Sequence, residues 1–148
     1  MPSMPSAEEE IFELMLSVHS GLSKPFEDYF RGEFTSLELN ALCALCAGGP
    51  FTTTELAGIL HIPRQQMSRT VEKLYERGCI ERGECEEDRR KLLITVSPRT
   101  AESIRACRRR FEQEVRESLR GSGGAEYRKF LTAAEIVNRM LMRIPKKN

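Results

Sequence analysis

The stretch from Thr52 to Gly78, "TTTELAGILHIPRQQMSRTVEKLYERG", leaves a chain few ways to fold. Thr52 and Glu55 have capping-box spacing, in which each side chain satisfies the other's backbone N–H, so a helix starts here. It is short. Leu56, Ile59 and Leu60 make its expected buried face. His61-Ile62 reads as a tight turn. Pro63 falls in the first turn of a second helix, where its missing N–H does little harm. Gly78 ends that helix. A short helix, a three-residue turn and a longer helix form a helix-turn-helix pattern.

The second helix has an unusual polar side. At about 100° per residue, Met67, Val71, Leu74 and Tyr75 share the expected core side. Gln65, Ser68, Arg69 and Glu72 lie opposite, Gln66 and Lys73 lie on a flank, and Arg64 occupies the first turn. Arginine can donate two bonds to guanine O6 and N7, and glutamine can bond adenine N6 and N7 in the same forked way. In helix-turn-helix proteins, the N-terminal residues of the second helix enter the major groove. The Arg, Gln and Ser residues cluster at that end, whereas Glu72 and Glu76 come later. The alternative is an ordinary solvated helix face.

Two short runs follow, "CIER" and "KLLITV", separated by "GECEEDRR". They read as a β-hairpin with a long charged loop. Asp88, Arg89, Arg90 and Lys91 close that loop, so the helix-turn-helix carries a basic-tipped wing. An arginine there can enter a narrow minor groove, where the negative potential is enhanced. Glu84, Glu86 and Glu87 keep a second reading open, a solvated, salt-bridged loop.

Helices flank this unit. Ile11, Leu14, Met15, Val18, Leu22, Phe26, Tyr29 and Phe30 make a helical stripe, with a kink or break expected near Lys24 ahead of Pro25. Thr35 and Glu38 again have capping-box spacing, and Gly48-Gly49-Pro50 stops the helix they begin. Ser97-Pro98 starts a helix reaching to about Leu119, with Ile104, Phe111, Val115 and Leu119 along one side. Residues 121–124, Gly-Ser-Gly-Gly, form a linker, and a last stripe runs from Tyr127 through Val137 and Leu141 to Ile144. The fold class is mainly α with a small β-hairpin: a winged helix-turn-helix between flanking helices. Those long apolar stripes exceed what the central unit can cover, so a second copy of the chain is the expected partner.

The segment "LYERGCIERGECEEDRRKLLITVS" resembles the MarR family of transcription regulators. Its members show a Leu-x-x-Arg-Gly-x-Ile/Val-x-Arg run, matched by Leu74, Arg77, Gly78, Ile80 and Arg82. They also show an Asp-x-Arg wing, matched by Asp88 and Arg90. Ser97 and Thr100 depart from the usual Thr and Gly. The resemblance implies one domain over residues 1–148, with a winged helix-turn-helix at 34–97 and dimerisation helices at 7–32 and 98–145. It implies a homodimeric, ligand-responsive repressor that binds a pseudo-palindromic operator in double-stranded DNA. The expected DNA-binding set is Thr53, Thr54, Arg64, Gln65, Gln66, Ser68, Arg69, Lys73, Arg89, Arg90 and Lys91, with Asp88 holding the wing. Small aromatic or phenolic effectors bind some members, and His19, Phe26, Tyr29 and Phe30 are the candidate lining here. A winged-helix protein-interaction module without DNA binding is the alternative.

The remaining features exclude more than they add. Net charge is only +1, so a nucleic-acid partner must be argued from local charge rather than the overall balance. No run approaches the roughly 18–20 apolar residues of a membrane span, and the acidic N-terminus lacks a signal-peptide pattern. A cytoplasmic protein with reduced thiols is expected. Of five cysteines, Cys43 and Cys46 form a lone C-x-x-C that reads as core rather than metal site. Cys85, expected to be exposed, and Cys79 are the positions where an oxidant would act. Arg108, Arg109 and Arg110 read as a solvated or dimer-pairing face. No nucleophile–base set, catalytic carboxylate pair or phosphate-binding glycine loop is visible, so neither enzyme activity nor a cofactor is expected.

Overall fold

Reciprocal caps start three helices of the computed structural model, which describes residues 5–145. The outermost residues of the expected 1–148 domain, 1–4 and 146–148, lie outside the described residues. Helix α1 (Ala7–Val18) is capped by Ser6 and Glu9, α3 (Ser36–Gly48) by Thr35 and Glu38, and α4 (Thr53–Leu60) by Thr52 and Glu55. The Ser6–Glu9 box escapes the sequence reading above.

Between α1 and α2 (Lys24–Asp28) the chain makes a π-helical turn, His19–Ser23, in which Lys24 N–H bonds to the His19 carbonyl. A proline ring clashes with the carbonyl four residues back. The wider turn therefore lets the helix pass Pro25 without breaking. Arg31 and Gly32, both at positive φ, then turn the chain into the winged unit.

After α4, His61 takes the left-handed conformation at φ 52°, and α5 (Arg64–Glu76) begins behind Pro63. Gly78, at φ 71°, releases the chain into β1 (Ile80–Glu84), which pairs antiparallel with β2 (Leu92–Val96) in the register Ile80↔Val96 to Glu84↔Leu92. Phe51 adds a single bridge to Ile94, tying the α3–α4 connection to the wing. Helix α6 (Pro98–Ser118) follows, then a short turn at Ser122–Gly124, then α7 (Ala125–Leu141).

The core lies in the winged unit. Leu42, Leu56, Met67, Leu74, Ile94 and Ile104 are its largest fully buried side chains and come from α3, α4, α5, β2 and α6. Burying each such side chain is worth about 1.5–3 kcal/mol.

Two expected core positions face outward. Ile59 is 44% exposed, and Ala57 is buried in its place. A small residue lets α4 lie close to its neighbours, which turns the buried face towards Ala57 and Ile59 towards solvent. Tyr75 is 45% exposed while Thr70 is buried. The Thr70 hydroxyl donates to the Gln66 carbonyl at 3.0 Å, so its methyl group can face the core.

By contrast, neither α1 nor α7 has a buried residue. Ile11, Phe12, Leu16, Met140 and Ile144 are each more than half exposed.

Candidate nucleic-acid interface

Three elements bring the expected DNA-facing residues to one side. Thr53 and Thr54 open α4, Arg64 opens α5, and Arg90 and Lys91 enter β2 from the wing loop. All five line one cleft of about 480 Å³, together with Thr52, Glu55 and Leu92. Beyond it, Gln65, Gln66, Ser68, Arg69 and Lys73 are exposed along α5, and Arg89 is exposed on the wing. Residues far apart in sequence thus form one continuous polar surface.

The start of α5 differs from those of α1, α3 and α4. Pro63 supplies no side-chain cap, and the first turn holds no acidic residue. The α1, α3 and α4 starts each carry a glutamate that closes its own cap. The first-turn N–H groups of Arg64, Gln65 and Gln66 therefore remain available beside a guanidinium. Unfilled N–H groups and the helix dipole together favour an anion. In α4, the Thr52 backbone N–H donating to Glu55 holds that carboxyl below its ordinary pKa, and Lys91 adds to the effect.

Asp88 bonds to two residues that follow it in the wing. Its Oδ1 accepts from the Arg90 backbone N–H at 3.0 Å, and its carbonyl accepts from Lys91 N–H at 2.9 Å. The turn that presents Arg90 is therefore closed by Asp88 at both ends. Glu72, although on the polar face of α5, is paired with Arg82 of β1. Arg82 also lies over the Tyr75 ring, 4.1 Å from its centroid. This clasp fixes α5 to the wing and draws the acid away from the basic start of the helix.

A second clasp sits at the other end of α5. Arg77 donates to buried Glu38 at 3.2 Å and to the Glu33 carbonyl at 2.7 Å, and it lies over Phe34. It joins the end of α5 to the segment leading out of α2. Arg77 and Arg82 belong to the motif quoted above, yet their partners are 39 and 10 residues away, so the motif alone does not show their roles.

The effector candidates separate into two groups. Phe26, Tyr29 and Phe30 form an edge-to-face cluster with Phe34 and Phe111. The Tyr29 hydroxyl donates to Glu114, while Arg110 covers the Tyr29 ring at 5.1 Å. Phe30 is 6% exposed and belongs to the core, so it cannot wall an open cleft. His19 is exposed at the π turn. None of these four residues lines the apolar groove of about 490 Å³ between α1, α6 and α7, which includes Leu14, Leu22, Phe111, Leu119 and Phe130.

Cys43 and Cys46 pack against the core, as expected, and burial pushes the Cys43 thiol up to about 11. Cys79 is buried, so it is closed to an oxidant in this conformation. Cys85 is only partly exposed, because its backbone N–H is drawn to the Lys91 carbonyl across the wing. Among the described residues, no helix is long and apolar enough to cross a membrane.

Comparison with known proteins agrees with this architecture. The chain is 27% identical over 87 residues to the multiple antibiotic resistance protein MarR of Salmonella typhimurium, a match covering 59% of this chain and 60% of that relative's length. It is similar in structure to a MarR family protein from Bacillus stearothermophilus, with TM-score 0.77 and 15% identity, covering 90% of this chain and 94% of that one. It is also similar to Streptococcus pneumoniae FabT, solved in complex with DNA, with TM-score 0.75 and 17% identity, covering 93% and 99%. At these identities the structural likeness speaks for the fold. The sequence match is more specific, because the MarR family model covers residues 34–91, which hold α3, α4, α5, β1 and the wing loop. On the winged-helix architecture and that match together, residues 34–91 are similar to the MarR family.

Proposed function

We propose that this protein is a sequence-specific DNA-binding transcription regulator that works as a homodimer. The observation that carries this reading is the convergence of Thr53, Thr54, Arg64, Arg90 and Lys91 on one cleft beside an uncapped helix start. Gln65, Ser68 and Arg69 read base edges in the major groove, and Arg90 follows the adjacent minor groove. Lys91 and the start of α5 hold phosphates, which position the protein without reading sequence. Two winged units related by a two-fold axis meet half-sites about one helical turn apart. The relative named FabT was solved with DNA, which is consistent with this assignment.

Repression relieved by a small aromatic or phenolic ligand is the regulatory part of the proposal. Phe26 and Tyr29 are its candidate contacts, since their rings stand at the junction between α2 and α6.

The test uses a duplex selected from random sequence, measured at two salt concentrations. Arg69→Ala loses about 1–3 kcal/mol and relaxes preference at one position in each half-site. Arg90→Ala weakens many sequences together and lowers the salt slope by about one unit. The exposed acids of the wing, Glu84, Glu86 and Glu87, favour a second reading as a protein-interaction module. That reading takes over if both variants bind DNA as the wild type does.

A further inference from the structure

We propose that the cleft between α4, α5 and the wing closes on the sugar–phosphate backbone of one DNA strand, and that Leu92 packs there against a deoxyribose and rejects a 2′-hydroxyl. The inference rests on the DNA-binding reading above and specifies which kind of nucleic acid its site accepts.

Leu92 is out of character with its surroundings. Within residues 80–96 it is the one large apolar side chain that is more than half exposed, at 56%. Every other exposed residue of the hairpin is charged, except Gly83 and Thr95. Its direction follows from the strand. Side chains alternate along β2, so Leu92 shares a face with Ile94 and Val96. Ile94 is buried and bridged by Phe51. Leu92 lies one pleat further out, past that bridge, and so lines the cleft instead of the core.

Its neighbours in the cleft suit phosphates. Thr53, Thr54, Arg64, Arg90 and Lys91 share the lining with Leu92. Glu55 is the one acid in that lining, and its carboxylate already accepts from the Thr52 backbone N–H at 2.8 Å. Among the described residues, Arg64, Arg90 and Lys91 form no ion pair. The cleft therefore keeps an excess of positive charge around a single exposed apolar side chain.

The placement of the cleft decides what fills it. On one side Arg64 opens α5, the helix assigned to the major groove, and on the other Arg90 and Lys91 lead from the wing loop, assigned to the minor groove. The strip of duplex between two adjacent grooves is one sugar–phosphate strand. Its phosphates meet the cations and threonines, and the sugar between them meets Leu92. Deoxyribose presents only C–H groups at C2′, whereas ribose presents a hydroxyl. Leu92 offers neither donor nor acceptor, so a hydroxyl pressed on it loses water and gains no partner. The other apolar group of DNA, the thymine methyl, stands on a base edge in the major groove, in front of α5.

The test is a scan of the selected duplex with a single ribonucleotide moved along each half-site. For the wild type, one position or two adjacent ones should weaken binding by about fivefold or more, the effect of a hydroxyl left without a partner. A 2′-fluoro nucleotide there, which shares the sugar pucker of ribose but lacks the hydroxyl, should bind like DNA. Leu92→Ser should weaken binding to the all-DNA duplex by about threefold and abolish the discrimination, because its hydroxyl can pair with the 2′-hydroxyl. Leu92→Met, which keeps an apolar wall, should preserve the discrimination and so guards against a serine variant that is merely damaged. Discrimination that survives in Leu92→Ser would overturn the inference. So would an equal loss from the 2′-fluoro nucleotide, which would trace the effect to sugar pucker. Replacing thymines by uracils one at a time is the third arm: a loss seen in wild type and absent in Leu92→Ser would make Leu92 a base contact and overturn the inference too. The DNA-binding reading fails on separate grounds, if Arg69→Ala and Arg90→Ala bind the all-DNA duplex as the wild type does.

Discussion

The winged unit and the flanking helices use the same apolar residue types to opposite ends. In the winged unit Leu42, Leu56, Met67 and Leu74 are fully enclosed by neighbouring elements of the same chain. In α1 and α7, Phe12, Leu16, Met140 and Leu141 remain more than half exposed. Five elements cross at short distances in the first region, so each closes the others. The second region has long helices that touch the chain along one side. Helical periodicity marks apolar faces in both regions, but it does not say whether the covering surface belongs to the same chain.

The largest effect that sharpens this contrast is expected in the enclosed core. Leu74→Ala should cost about 2–5 kcal/mol, because it leaves a cavity between α5 and its neighbours. The loss should be the same at all protein concentrations in a chemical denaturation series. Leu141→Asp should behave differently. It puts a charge on the uncovered stripe, so it should weaken the proposed dimer by more than about tenfold while a dilute sample changes little in its unfolding. A concentration-independent loss for Leu141→Asp would break the comparison, because α7 would then be held by its own chain.

Intermediate effects should come from the clasps. Arg77→Ala leaves the buried Glu38 carboxylate without its ionic partner, and a loss of about 1–3 kcal/mol in thermal or urea unfolding is expected. Replacing the exposed Ile59 by Ser should change stability by less than about 0.5 kcal/mol. A large loss there would show that α4 is rotated from the position described.

A smaller effect should appear in alkali. Burial raises the Cys43 thiol to about 11 from an ordinary value of 9.0. Between those values the unfolded chain releases a proton that the folded chain retains. Stability therefore falls as pH rises from 9 towards 11, and no such loss occurs below 9. Cys43→Ala should flatten that part of a pH–stability curve, and an unchanged slope would remove Cys43 as a contributor.

What could be read from sequence follows from range. The caps at Thr35 and Thr52 were legible because both partners lie within four residues of one another. Asp88 was legible through the resemblance, and its bonds to Arg90 and Lys91 are equally local. Ile59 and Tyr75 were misplaced because a helical wheel gives direction around an axis, not the neighbour found there. Ala57 and Arg82 decided those two cases, one by being small and the other by stacking on a ring. The Arg77–Glu38 bond spans 39 residues, and nothing in the local pattern of either residue announces it. The gathering of Thr53, Arg64 and Arg90 depends on the same kind of long-range packing, so sequence could nominate these residues but not show their common cleft.

The uncapped beginning of α5 has a consequence for hydrogen exchange. Helices α1, α3 and α4 complete their first turns with their own glutamates, so those ends are the same with or without a ligand. At Arg64, Gln65 and Gln66 the corresponding amides have only solvent to bond until something else arrives. A bound duplex would then act as the missing end-piece of the helix, its phosphate oxygens taking the place that a capping side chain holds elsewhere. Amide exchange at these three positions should slow when operator DNA is added, while the first turns of α3 and α4 keep their rates. On the function proposed here, α5 would be finished by the duplex it binds, and part of the binding free energy would be helix-ending energy absent from the free protein.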